Sequence, residues 1–197
     1  VLRAANERGV PVTPYAAGSG MQRAAVPVTG GITLAMTRMN EIRDVRPADM
    51  QVDVEAGVIG DELNEALAVN GLHLPSFPQS AAFSTIGGML ATDASGTKTV
   101  KYGEVGDWVL GLEVVRADGS VVDVGTRARK SSAGYNLTDL FVGSEGTLGV
   151  ITRATLDLAT LPSKTVGGRA VFASLADASD AITDVVRSGI DVATIEL

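Results

Sequence analysis

The sequence predicts an α+β fold, with mixed strands, few helices and the chemistry placed in loops. Three observations point there. Strand-like runs such as MQVDVE (50–55) and VLGLEVVRADGSVVDV (109–124) dominate the chain, whereas a long helical period is confined to 60–70 and 175–187. The strands are interrupted by small-residue clusters at Ala16-Ala17-Gly18-Ser19-Gly20, through 83–106, and at Gly143-Ser144-Glu145-Gly146-Thr147-Leu148-Gly149. Glycine has no Cβ, so such loops let main-chain N–H groups approach a ligand closely, and Ser and Thr add adaptable donors. A structureless stretch as long as 83–106 is uncommon inside a domain unless it is functional.

A hydrophobic share of 45% over 197 residues supports a substantial core and excludes a disordered chain. No apolar run approaches the roughly 18 residues of a membrane span. The opening VLRAANERGV lacks the basic-then-apolar order of a signal peptide, so a cytoplasmic location is the expectation. Cysteine is absent, which removes disulfides, thiol nucleophiles and thiolate metal sites. The net charge of −7 argues against nucleic acid as a partner. It also means that an anionic ligand must be held by local donors, such as main-chain N–H nests and helix N-termini.

In chain order, VLRAANERG reads as the last turns of a helix stopped by Gly9, and VPVT (10–13) as a strand feeding the first loop, 14–22. AAVPV and ITLAM are predicted as two strands joined around Gly30-Gly31 in a hairpin-type connection. Residues 41–46 and 50–55 form another pair around the turn Pro47-Ala48-Asp49. Leu63 and Leu67 recur at helical spacing over 60–70, and Asn70-Gly71 stops that helix. Pro75 and Pro78 make 74–80 an extended loop. Asp118-Gly119 marks the turn of a hairpin over 109–124, and 137–141 is a short helical turn. Residues 148–158 are a strand with Val150, Thr152, Ala154, Leu156 and Leu158 on one face. Pro162 marks a boundary, after which GRAVFAS, a helix over 175–187 and DVATIEL form a β-α-β unit. The domain is therefore assigned to 1–160 and the start of a second to 161–197. Both ends look cut, and a longer protein is expected.

Among single residues, Glu145 is a carboxylate among glycines, suited to accepting hydrogen bonds from a ribose or adenine. His73, the only histidine, lies between Leu72 and Leu74 and reads as a packed residue rather than a catalytic base. With one His and no Cys, a zinc site is not expected, and no Ser/His/Asp set can be assembled. Trp108, Tyr102 and Tyr135 read as core or pocket-wall residues, and Lys130 equally as a solvated lysine or a ligand contact. No GxGxxG fingerprint follows a strand, so a Rossmann domain lacks its main support.

The three loops, taken in order, resemble a known family. PVTPYAAGSGMQRAAVPVTGGI, STIGGMLATDASGTKTVKYGEVGDWVLGLEVVRADG and KSSAGYNLTDLFVGSEGTLGVIT are similar to the FAD-binding PCMH-type domain of the vanillyl-alcohol oxidase family. Within that family the nearest resemblance is to FAD-linked 2-hydroxyacid oxidases, the D-lactate dehydrogenases and the D subunit of glycolate oxidase. The resemblance covers about 6–158, and VFASLADASDAITDVVRSGIDVATIEL resembles the opening of that family's ferredoxin-like substrate cap.

The resemblance implies a two-subdomain fold with FAD as cofactor. Pro14, Tyr15, Ala16, Ala17, Gly18, Ser19 and Gly20 would wrap the pyrophosphate with main-chain amides. The segments from Gln79 to Thr85, with Ser80 and Ser84, and from Thr92 to Ser95, with Ala94, would line the pyrophosphate, ribityl chain and flavin ring. Gly87, Gly88, Gly96, Tyr102 and Gly103 belong to the same central segment. Glu145, Gly146, Gly149, Val150 and Ile151 would hold the adenosine half and part of the isoalloxazine. The pattern departs from the family at Tyr15 and Ala16 (usually Arg and Gly), Gly20 (commonly Ser), Phe77 (usually Asp) and Asp93 (usually Asn). The first loop lacks the His that some relatives bond to flavin, so non-covalent FAD is expected. The family's catalytic, substrate and metal residues would lie beyond Leu197. The implied activity is oxidation of a 2-hydroxy acid by hydride transfer to the flavin, with a separate electron acceptor. The alternatives are another substrate, as in alkyl-dihydroxyacetone-phosphate synthase, or a non-catalytic flavin-binding subunit.

Overall fold

Alternation along Gln51–Glu55 sends Val52 and Val54 to one side of a strand and Asp53 to the other. The computed structural model, which describes residues 1–197, makes that strand (β4) the second of a five-stranded antiparallel sheet. The sheet runs β3 (Ile42–Arg46), β4, β8 (Val150–Asp157), β6 (Val109–Val115), β7 (Val121–Gly125). One face is apolar: Val52, Val54, Leu112, Val114, Ala154 and Leu156 are buried there. Helix α2 (Gly60–Ala68) adds Leu63 and Leu67 to the same core, and α3 (Ile86–Ala91) adds Ile86, Met89 and Leu90. The opposite face carries ion pairs: Arg46 reaches Asp53 at 2.9 Å, Arg127 reaches Asp53 at 2.8 Å, and Arg153 reaches Glu113 at 3.1 Å.

The hairpin predicted around Gly30-Gly31 does not form. β1 (Val12–Tyr15) and β2 (Ile32–Ala35) pair in parallel, with Val12 opposite Ile32. Parallel strands need a long crossover, which residues 16–31 supply. The expected strand AAVPV spends its donors on turns instead: Val26 N–H donates to Arg23 O, Val28 N–H to Val26 O and Gly30 N–H to Pro27 O. Gly31 (φ +93°) passes so close to Pro11 that a Cβ would lie 2.2 Å from its carbonyl oxygen.

The stretch 83–106 is not structureless either. Thr85 Oγ1 caps α3 by accepting from Gly88 N–H at 3.2 Å, and α4 (Thr99–Tyr102) follows. The predicted helix at 60–70 forms and ends in Gly71 at φ +68°. The predicted turn at 137–141 is α5 (Thr138–Phe141). Strand β8 buries Ala154 and Leu156 on the core face as expected, but Thr152 and Val150 leave that face: the Thr152 hydroxyl donates to Glu113 Oε1 at 2.7 Å, and Val150 packs with Met36 and Ala56. The cause is a register shift between Glu113 and Val114 on β6, which reverses the alternation along β8 and puts Ile151 in the core opposite Val114.

Beyond β9 (Ala159–Thr160), which pairs with β5 (Leu72–His73), only α6 (Leu175–Arg187) is regular. The strands expected at GRAVFAS and DVATIEL are absent, because neither segment has a strand to hydrogen-bond with, and Val171 is 87% exposed. An ion pair of 2.6 Å joins Lys101 on α4 to Asp191 after α6. No helix is long and apolar enough to cross a membrane.

Candidate functional site

Helix α3 organises the site. Its N-terminal side is joined to the first loop by hydroxyls: Ser19 Oγ lies 3.0 Å from Ser84 Oγ, which lies 2.7 Å from Ser80 Oγ. Its C-terminal carbonyls hold the third loop, since Gly143 N–H donates to Leu90 O at 2.9 Å and Glu145 N–H to Ala91 O at 2.8 Å. Gly146 (φ +80°) then brings the third loop against the first, its virtual Cβ 3.4 Å from Pro14 Cγ. The three clusters thus converge on one cleft of about 510 Å³, within the roughly 300–1,000 Å³ of ligand sites.

The first loop contributes everything from Pro14 to Gly20 to the lining, the central stretch contributes Gln79, Ser80, Ser84, Thr85, Gly87, Gly88, Thr92, Ala94 and Ser95, and the third Glu145, Gly146, Gly149, Val150 and Ile151. Gly96, Tyr102 and Gly103 are not brought in. Gly96 presses on Phe77, where a Cβ would sit 2.2 Å from the carbonyl oxygen. Gly103 (φ +72°) turns against Asp107, and its carbonyl accepts from Ser76 Oγ at 2.6 Å. Tyr102 packs edge-on between His73 and Trp108, at ring separations of 6.2 and 6.4 Å, and its carbonyl accepts from Trp108 Nε1. All three hold the loop's shape away from the cleft.

Several lining residues were not singled out from the sequence. Met21, Gln22, Ala24 and Ala25 continue the first loop, and contiguity was the available signal. Asp93, by contrast, belongs to the segment 92–95 assigned from the sequence and does line the cleft; it adopts φ +46°, and its Oδ1 accepts from Gly106 N–H at 2.9 Å. Asp93 also raises the neighbouring Glu104 carboxyl above its usual range, through a hydrogen bond and then through its charge. Met36 and Ala56 enter from the ends of strands β2 and β4 and carry no local mark. Of the departures from the family pattern, Tyr15 lays its ring against Gly18, where a Cβ would meet the hydroxyl at 2.9 Å. Phe77 carries Lys98 over its ring at 5.4 Å. His73 is buried, as expected, and Lys130 is exposed in a loop outside the cleft.

The donors suit a phosphate. No main-chain N–H from Ala17 to Gln22 donates to a protein acceptor, although the loop borders the cleft. Gly88 leaves open space where a side chain would stand, with only Thr85 Oγ1 near, and the wall also includes apolar Met36, Ala56 and Met89. A charge-poor cleft with free N–H groups, hydroxyls and apolar patches can take an anionic linker between two aromatic ring systems.

The fold and this donor set define a dinucleotide-binding flavoprotein domain. Residues 1–125 match the family described as an FAD binding domain, and the chain belongs to it. The chain is 42% identical over 197 residues to D-lactate dehydrogenase (cytochrome), mitochondrial, of Arabidopsis thaliana, covering all of this chain and 34% of that protein. It is 35% identical over 196 residues to glycolate oxidase subunit GlcD of Bacillus subtilis, covering all of this chain and 42% of that protein. A solved alkyldihydroxyacetonephosphate synthase superposes with a TM-score of 0.79 at 31% identity, over 95% of this chain and 34% of that one. The chain therefore spans well under half the length of these relatives. FAD is the cofactor, and the free N–H groups, the three hydroxyls and the apolar patches fit its pyrophosphate and rings.

Proposed function

We propose that the chain is the FAD-holding part of an oxidoreductase that oxidises a 2-hydroxy acid of the D-lactate or glycolate type and passes the electrons to a separate acceptor. The observation that carries this reading is the convergence of three sequence-distant loops on one cleft bordered by unengaged N–H groups. When bound, FAD supplies the hydride-accepting ring system. The chain's own residues bind and orient: the N–H groups of 17–22 and the Ser19, Ser84 and Ser80 hydroxyls face the pyrophosphate, while Glu145 offers a carboxylate to the adenosine half. Val150 and Ile151 back the cleft and exclude water. Residues 161–197 then open a second unit that carries substrate recognition, with Lys101–Asp191 as a contact between them. The names of the relatives support the substrate class, and a cytoplasmic location remains part of the proposal beside relatives named as mitochondrial.

The synthase superposition supports a second reading, the same FAD domain serving another substrate in an alkyldihydroxyacetonephosphate synthase-like enzyme. The visible spectrum of the purified chain, alone and after added FAD, tests the shared part. Oxidised-flavin bands that leave the protein on denaturation are expected. A colourless chain that takes up no FAD would refute both readings.

A further inference from the structure

The first loop is nearly untethered. From Ala17 to Gln22 no main-chain N–H donates to the protein and no carbonyl accepts from it. A single hydrogen bond, Ser19 Oγ to Ser84 Oγ at 3.0 Å, ties this stretch to the rest of the chain. The far end of that bond is firmly held. Ser84 is 3% exposed, its N–H donates to Ser80 O at 2.8 Å, and its carbonyl accepts from Gly60 N–H at 3.0 Å. Its hydroxyl also meets Ser80 Oγ at 2.7 Å.

We propose that Ser80, Ser84 and Ser19 form a hydroxyl chain that seats the first loop over the cleft before any ligand arrives, with Ser84 as the positioning residue. This rests on the FAD reading and says what prepares that site. Each hydroxyl has one proton to donate, and the chain uses two of the three in its internal bonds. If the chain runs from Ser80 to Ser19, the Ser19 O–H is left over; if it runs the other way, the Ser80 O–H is; if both donate to Ser84, the Ser84 O–H is. All three residues line the cleft, so every arrangement leaves one O–H for an anionic oxygen, strengthened by the bonds behind it. The loop's unengaged N–H groups are thereby held in place, so less ordering is left for the moment of binding.

The test uses the 197-residue chain without added ligand and follows tryptic cleavage after Arg23, within the crossover that the chain seats. A net hydrogen bond shifts a local equilibrium by a factor of about 2–10, so Ser84→Ala and Ser19→Ala are expected to speed that cut by about this factor. The double variant should cut no faster than Ser84→Ala alone, because both remove one link. Ser19→Thr, which keeps the hydroxyl, should cut at the original rate. Cleavage after Arg153 in β8 reports global opening and should not change. If Ser84→Ala melts early, Ser19→Ala at its exposed position decides the matter. Unchanged cleavage after Arg23 in Ser19→Ala, or equal acceleration at Arg153, overturns the proposal. FAD titration of the same variants is the second arm, with a similar loss of affinity expected. Loss of the tether in a chain whose unaltered form takes up no FAD would sink the cofactor reading and leave the tether standing.

Discussion

Gly146 shows how much one residue decides. At φ +80° it occupies the left-handed region, and beyond its missing side chain lie Pro14 Cγ at 3.4 Å and Pro14 Cδ at 3.7 Å. A β-branched side chain costs on the order of 1–2 kcal/mol in that backbone region and fills the gap between the first and third loops. Gly146→Val is therefore expected to weaken FAD binding at least about tenfold, read by flavin fluorescence titration. Unchanged affinity would mean that this junction does not border the cofactor. Glu145 and Asp93 adopt the same region without being glycine, at φ +50° and φ +46°. For Asp93 the compensation is visible: its carboxylate takes the Gly106 N–H, and Asp and Asn tolerate this backbone better than most residues.

Among the elements, α3 governs the site because both of its ends are bonded to binding loops. It lies so close to β4 that a Cβ at Gly87 would sit 2.6 Å from Ala56 Cβ and 3.0 Å from Ala56 O, while Gly87 N–H donates to that oxygen at 2.7 Å. Gly87→Ala gains up to about 1 kcal/mol of helix propensity, but it overpacks a contact with rigid backbone, at about 1–3 kcal/mol. The contact wins, because Ala56 O has no freedom to retreat. A lower melting temperature together with weaker FAD binding is expected, and a melting temperature at or above the original would show that α3 can shift freely. This helix was readable in principle. Ile86, Met89 and Leu90 have the i, i+3, i+4 spacing and Thr85 is a good N-cap, but the Gly87-Gly88 pair argued against a helix and masked them.

At the scale of the whole molecule, pH acts through groups on opposite sides of the sheet. Burial, and then the charge of Lys98, push the His73 imidazole below its usual 6.5. The unfolded chain thus binds more protons there than the fold does, so stability falls as pH drops below about 6.5. Urea midpoints measured from pH 7.5 to 5 should decline through this window, and His73→Gln should remove that part of the decline. A parallel decline in the variant would assign the effect elsewhere. On the other face, burial alone would raise the Asp53 carboxyl, but hydrogen bonds from Arg46 and Thr155 and the charges of Arg46 and Arg127 outweigh it and hold it below 3.8. That contribution is present above 3.8 and is lost only as pH falls below it, so the two windows do not coincide.

The local sequence determined the strands of the main sheet, the helix at 60–70, the hairpin after Val109 and the identity of the three loops. Each of these is written in short-range terms, by alternation, helical spacing, turn residues and missing side chains. Tertiary structure alone decided that β1 and β2 run parallel, that Gly96, Tyr102 and Gly103 face away from the cleft, and that Met36 and Ala56 face into it. It also left the segments flanking α6 without strands. The physical reason is the same in each case. Whether a strand pairs, and which way a glycine or an apolar side chain faces, depends on hydrogen-bond partners and surfaces supplied by residues far along the chain, and no nearby residue records them.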